Sequence, residues 1–272
     1  MKFHSPRGCW DFFFRAPEGR AVWQGGNHLR RSNIDISFII IVAVLAFMSL
    51  RDGAMTDPMT WIRDKIVIVP AIFIGLTFHE FAHAFVADKL GDSTPRQQGR
   101  VTLNPLAHID WVGLLCLFFV GFGWGQPVQI DPRQFKHPRR DEFLVSIAGV
   151  TMNFLLAIVF ALISKLVLVI FGTSWANSGF GVSVWMMLEY VIIINLVLMV
   201  FNLIPVPPLD GFNILAQIIG FGQTELYWKI YTYGNWILIA LIVFGVTGRI
   251  ISPCVQFLYS LIANIVGLPW GY

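Results

Sequence analysis

Residues Ile66 to Ala87 read IVIVPAIFIGLTFHEFAHAFVA, an apolar run long enough to cross a bilayer that nonetheless carries His79, Glu80 and His83. On a helix, positions four apart lie about 400° around the axis and so share a face. His79 and His83 can therefore both offer an imidazole nitrogen to one ion, with Glu80 beside it, the geometry of a zinc hydrolase. In a soluble protein this HExxH pattern is only moderately specific. In hydrocarbon, three ionisable groups without partners carry a heavy burial cost, so the run predicts a metal site at membrane depth.

The rest of the chain agrees with a membrane setting. Of its 272 residues 56% are hydrophobic and 13% charged, and the mean hydropathy is +0.67. These values exclude an ordinary soluble domain and predict an all-α polytopic membrane protein of about five to six transmembrane helices. The net charge of +3 comes from Lys and Arg gathered at the edges of apolar runs. That placement encodes topology and makes nucleic acid an unsuitable partner. Cys9, Cys116 and Cys254 lack CxxC spacing and predict neither a disulfide nor a ligand set.

Residues 1–33 form a basic extension, with Lys2, Arg7, Arg15, Arg20, Arg30 and Arg31 against Asp11 and Glu18. Two readings of it stand open: an aromatic and basic segment resting on an anionic membrane surface, or a flexible tail. Residues 34–272 read as one membrane-embedded domain with its core at about 66–215. The first expected span is Ile36 to Leu50 and the second Ile66 to Ala87. The basic tail places the N-terminus in the cytoplasm, and the second span returns the chain to that side.

Trp111 to Trp124 is too short to cross a bilayer. Its glycines, with the alternating pattern of Gln126 to Ile130, predict a small β-element at the cytoplasmic membrane edge. Arg133, Lys136, Arg139 and Arg140 precede a third span, Phe143 to about Phe171. The uncharged connection Gly172 to Gly181 belongs on the outer side, and Val182 to Ile204 returns the chain inward. Trp236 to Leu268 is broken by Gly245, Gly248, Arg249 and Pro253, leaving one kinked span, two short segments or a hairpin open.

A catalytic zinc takes three protein ligands and keeps one position for water, so HExxH needs a third ligand from elsewhere. Asp210 is the candidate. It stands in Asn202-Leu-Ile-Pro-Val-Pro-Pro-Leu-Asp-Gly211, where Pro205, Pro207 and Pro208 forbid regular helix and leave an unwound segment that can aim a carboxylate. The competing reading makes Asp210 an N-cap for a following short helix.

HExxH, the NxxPxPPLDG stretch from Asn202 to Gly211, and Ala148-Gly-Val-Thr-Met-Asn153 between them together resemble the site-2 protease family (peptidase M50) of intramembrane zinc metalloproteases. Gly99 to Asp110 and Gly123 to Val128 are similar to the compact branch of that family, without PDZ or CBS domain. The resemblance covers roughly residues 66–215. It implies Zn²⁺ held by His79, His83 and Asp210, Glu80 as general base, and cleavage of a transmembrane or membrane-adjacent segment of another protein. Asn153 and Asn202 match motif asparagines, for which oxyanion binding or substrate positioning stands beside plain interhelical hydrogen bonding. Val150 and Trp111 stand where the family commonly has Pro.

A substrate helix must unwind before its peptide bonds are accessible, and strands between Arg100 and Ile130 would hold it by strand addition. His108 and His137 read as packed or solvated imidazoles, Lys165 as a snorkelling cation, and Glu189 as an acid inside a span without an assigned role. The alternatives are a membrane metal-ion transporter and a catalytically silent relative that binds client proteins. A transporter calls for a path of ligands or an internal repeat, and the sequence displays neither. The soluble stretches are too short to bury a further domain. A bacterial cytoplasmic membrane, with the site opening toward the cytoplasm, is the expected location.

Overall fold

Backbone polar groups find no water in hydrocarbon, so each apolar run must close its own hydrogen bonds. The computed structural model shows them doing so as helices. It describes residues 57–120, 123–222 and 224–268, together with Ala43 and Phe47. The basic extension and nearly all of the first expected span lie outside the described residues.

The run carrying the histidines lies in helix α1, Pro58–Lys89. Asp57 caps its start by accepting from the Thr60 N–H at 3.2 Å, and Pro58 takes a position where no N–H is required. Beyond Leu90, Gly91 at φ 111° turns the chain aside. Short helix α2, Thr94–Gln97, and helix α3, Trp111–Val120, follow.

Helix α4, Pro138–Ala176, bends at Gly172, and helix α5, Gly179–Asn202, returns antiparallel to it in the chain order. After an irregular turn come helices α6, Asp210–Ile219, α7, Glu225–Val243, and α8, Val246–Val266. Among the described residues α1, α4, α5 and α8 are long and apolar enough to cross a membrane.

Helices α1, α4 and α5 form the central packing unit. Their contact faces are built from small residues, including Ala71, Gly75, Ala82 and Ala87 on α1 and Gly149, Ala157 and Ala161 on α4. Small side chains let backbones approach closely where lipid supplies no hydrophobic drive for helices to associate. Helix α8 packs on α5, with Val255, Ile262 and Ala263 joining Ile192 and Leu196 in one apolar cluster. Leu166, Val169 and Ile170 on α4 point outward, as expected of side chains facing lipid.

The structure corrects one expectation. Among the described residues there is no strand at the membrane edge: Trp111–Val120 is helical, and Ile109 and Gly125 make a single isolated antiparallel bridge. The alternating segment Gln126 to Ile130 stays single because its inward N–H groups find other acceptors. Gln126 donates to the His108 carbonyl at 2.7 Å, Val128 to Glu80 Oε2 at 3.0 Å, and Asp131 just beyond to Asp92 Oδ2 at 2.8 Å. One main-chain carbonyl and two carboxylates satisfy the backbone here, so no second strand is required. The carboxyl-terminal region resolves as two helices, broken at Gly245, whose φ of 68° no helix interior accommodates.

Two glycines distinguish tight packing from tolerant packing. A Cβ at Gly75 would meet the terminal methyl of Leu198 at 2.6 Å, whereas one at Gly211 would meet the Leu203 carbonyl oxygen at 2.3 Å. A methyl group can rotate away and a turn carbonyl cannot. We therefore expect Gly75→Ala to leave the thermal unfolding midpoint in detergent nearly unchanged, and Gly211→Ala to lower stability by about 1–3 kcal/mol.

Candidate metal centre

Helical spacing brings His79 and His83 to one face of α1, and both are buried. Their Nε2 atoms lie 3.0 Å apart, and each is 3.2 Å from Asp210 Oδ2. Asp210 is the first residue of α6, with Leu209 as the N-cap, so its carboxylate is not spent on capping that helix. The irregular turn from Leu203 to Leu209, rich in proline, delivers it to the histidines. The structure thus brings together the three residues that the sequence put forward as ligands.

The hydrogen bonds behind the imidazoles settle which nitrogen carries the proton. His83 Nδ1 lies 2.7 Å from the Val145 carbonyl, which only accepts, so Nδ1 donates and a neutral ring leaves a lone pair on Nε2. His79 Nδ1 faces Asn153 Oδ1 at 2.7 Å. Asn153 Nδ2 donates to Asn195 Oδ1 at 3.1 Å, and Asn195 Nδ2 donates to the Val191 carbonyl at 2.8 Å. A main-chain acceptor at the end of this chain fixes every amide orientation in it, and His79 also donates from Nδ1.

Three acceptors therefore converge with no donor among them, and Asp210 Oδ2 is buried without a hydrogen-bond partner. Such an arrangement is strongly unfavourable unless a cation lies between the atoms. A single proton would serve only one edge of the triangle. Tetrahedral zinc with ligands at about 2.0–2.2 Å has ligand–ligand separations of about 3.3–3.6 Å, a few tenths longer than those seen here. Two neutral imidazoles and one carboxylate also match the ligand chemistry of that ion. The residues fit zinc.

Gly149 on α4 makes the approach possible. A Cβ there would lie 2.4 Å from His83 Nε2 and 2.7 Å from His79 Cε1. Glu80, half-buried beside the ligands, has its Oε2 on the Val128 N–H, and the extended segment from Gly125 passes over it. Arg100 braces that segment by donating to the Ala107 and Gln126 carbonyls. Burial pulls the Arg100 guanidinium below its usual pKa, and the nearby Glu80 charge opposes the shift.

The other singled-out residues fall elsewhere. Asn153 has both amide atoms engaged, one with His79 and one with Asn195, and Asn202 donates back along its own helix to the Leu198 carbonyl at 3.0 Å. His108 is buried with Nε2 on the Thr102 carbonyl at 2.8 Å, and His137 is exposed at the start of α4. Glu189 accepts from the Tyr259 hydroxyl at 3.0 Å and ties α5 to α8. Asn195, Asp92 and the steric role of Gly149 escaped the sequence reading. An amide inside the apolar run Val182 to Ile204 was the available signal for Asn195.

Two substitutions test this geometry through zinc content rather than activity. Gly149→Ala should push the imidazoles apart and abolish stoichiometric zinc in the purified protein. Asn195→Ala, which touches no ligand, should loosen His79 and weaken zinc affinity by about 10–100-fold in a chelator competition.

Comparison with known proteins bears on the same residues. The model of peptidase family M50 matches residues 166–245, which include Asp210 and the turn before it. The protein named "Putative zinc metalloprotease YwhC" of Bacillus subtilis (strain 168) is 36% identical over 190 residues, covering 68% of this chain and 84% of that one. "Putative zinc metalloprotease Rip2" of Mycobacterium tuberculosis is 28% identical over 194 residues, 69% of this chain and 70% of its own. No solved structure matches the chain significantly. Likeness at this level, across most of both chains, means that the chain belongs to peptidase family M50 and is a zinc metalloprotease.

Proposed function

We propose that this membrane protein is a zinc-dependent intramembrane endopeptidase, hydrolysing peptide bonds in or near the transmembrane segments of other proteins. The observation that carries the reading is the placement of the acceptor triangle. Two of its members lie on α1, a helix apolar and long enough to cross a bilayer, and α4 and α5, two further such helices, orient one of them. Among the described residues this is the one group of three or more His, Cys, Asp or Glu close enough to share an ion, whereas a transport path calls for a succession of them.

Zinc held by His79, His83 and Asp210 would supply a Lewis acid that brings the pKa of a bound water to near 7 and polarises a carbonyl. Glu80 accepts the proton of the attacking water and passes it to the leaving amine. Its carboxylate is kept in place by the Val128 N–H at 3.0 Å, so the base rides on the same extended segment that would receive the substrate. That segment uses its inward N–H groups on the protein, and an unwound substrate strand would align along its free edge. Unwinding is needed because an intact helix shields its peptide bonds, and Gly, Asn or Pro in the substrate lowers that cost.

The basic stretch between Arg133 and Arg140 supports the further proposal that this end of the bundle lies at the cytoplasmic face of a bacterial cell membrane, with the site opening toward the cytoplasm. The test combines zinc analysis with cleavage of a model transmembrane substrate in detergent. Glu80→Gln should retain one zinc per chain and cut at least 100-fold more slowly, roughly the lower bound for losing a general base. Asp210→Ala should lose both metal and cleavage. Retained cleavage in Glu80→Gln would remove the glutamate from the mechanism. Full zinc content without cleavage of any tested span in the unmodified protein would count against proteolysis within the membrane.

A further inference from the structure

The basic side chains on the loops around α4 are not equivalent. Arg96 is paired with Asp88 at 2.5 Å and Arg133 with Asp131 at 2.8 Å. Lys136 and Arg140, a few residues on, are exposed and have no ion pair or hydrogen-bond partner among the described residues. The nearby acids are already engaged: Asp141 is buried on the His137 N–H at 3.0 Å, and Glu142 accepts from the Gln217 amide.

Lys136 and Arg140 line an open cleft of 540 Å³ together with His137, Arg139, Phe143 and Ile218. Arg139 crosses its floor, donating from Nε to the Gln217 carbonyl at 2.6 Å and from Nη2 to the Ile218 carbonyl at 2.7 Å. On the α6 side of the cleft Ile218 is 61% exposed, and Ile219, the residue after it and outside the cleft lining, is 64% exposed. Unneutralised cations on one side and exposed aliphatic side chains on the other form a surface for an anionic amphiphile. The cleft sits where α4 enters its apolar run, which on the membrane-embedded reading above is the level of lipid headgroups.

We propose that this cleft binds an anionic phospholipid, its phosphodiester held between Lys136 and Arg140 and its acyl chains lying along Phe143, Ile218 and Ile219. A free phosphate would use the cations and leave the aliphatic wall bare. The inference rests on the membrane-embedded reading above and extends it to control. Arg139 joins the cleft to the C-terminal carbonyls of α6, and the first residue of α6 is Asp210. A lipid seated here braces the helix that supplies the carboxylate of the metal centre.

The test measures lipid binding directly, so that it stands apart from proteolysis. The purified full-length protein in uncharged detergent is titrated with acyl-labelled phosphatidylglycerol and with phosphatidylcholine of the same chains. Phosphatidylglycerol should bind about tenfold or more tightly than phosphatidylcholine. The double variant Lys136→Gln, Arg140→Gln should lose that preference. Arg96→Gln, Arg133→Gln, which removes the same formal charge from paired positions, should keep it. Equal binding of the two lipids to the unmodified protein, a preference that survives in the Lys136/Arg140 variant, or displacement of the lipid by millimolar inorganic phosphate would each overturn the proposal. The comparison on the unmodified protein requires no variant to fold.

Discussion

Three acceptor atoms held within 3.2 Å of one another, two of them on buried imidazoles, are the constraint that the rest of the molecule answers. Lone pairs this close repel, and the surroundings offer little screening. The arrangement persists only because each ligand is held from behind. Val145 fixes one imidazole, the chain Asn153, Asn195 and Val191 fixes the other, and the proline-rich turn before α6 fixes the carboxylate. These outer contacts set the tautomers, leaving both Nε2 atoms available for a cation.

Close backbone approach is the second requirement, and glycine meets it where it matters most. Gly149 lets α4 press against the two imidazoles, and Gly211 lets the chain fold back on Leu203 immediately after Asp210. A Cβ at Gly149 would strike the ligands themselves, and one at Gly211 would strike the turn that leads to Asp210. A bilayer protein cannot gather helices by hydrophobic drive alone, so contact areas of this kind also do most of the packing between α1, α4 and α5.

On the loop side, polar groups replace a sheet. Glu80 and Asp92 accept from the backbone of the extended segment around Val128, and Arg100 ties that segment to the Ala107 carbonyl. Glu80 is thereby fixed both by α1 and by the segment above it. Arg139 performs a comparable service for α6, closing carbonyls that a helix end leaves open. The metal centre is thus braced at its histidines by neighbouring helices, and the helix that carries its carboxylate is braced by Arg139 from the first turn of α4.

Much of this was legible in the residues. Apolar run lengths pointed to the long helices α1, α4 and α5, the HExxH spacing put two ligands on one face, and three prolines before Asp210 forbade helix where a carboxylate had to be delivered. Those are local properties, set by helical period and by the backbone chemistry of proline. Alternation from Gln126 to Ile130 misled, because period two reports an extended chain and says nothing about what pairs with it; the acceptors were the His108 carbonyl and the Glu80 carboxylate rather than a second strand. The tertiary structure alone decided that Asn153 serves His79 from 74 positions away, that Asn195 orients Asn153, and that Gly149 lies against the imidazoles. Such contacts depend on how helices cross. An amide buried in an apolar run announces that it needs a partner, while the partner is chosen by packing between segments far apart in the chain.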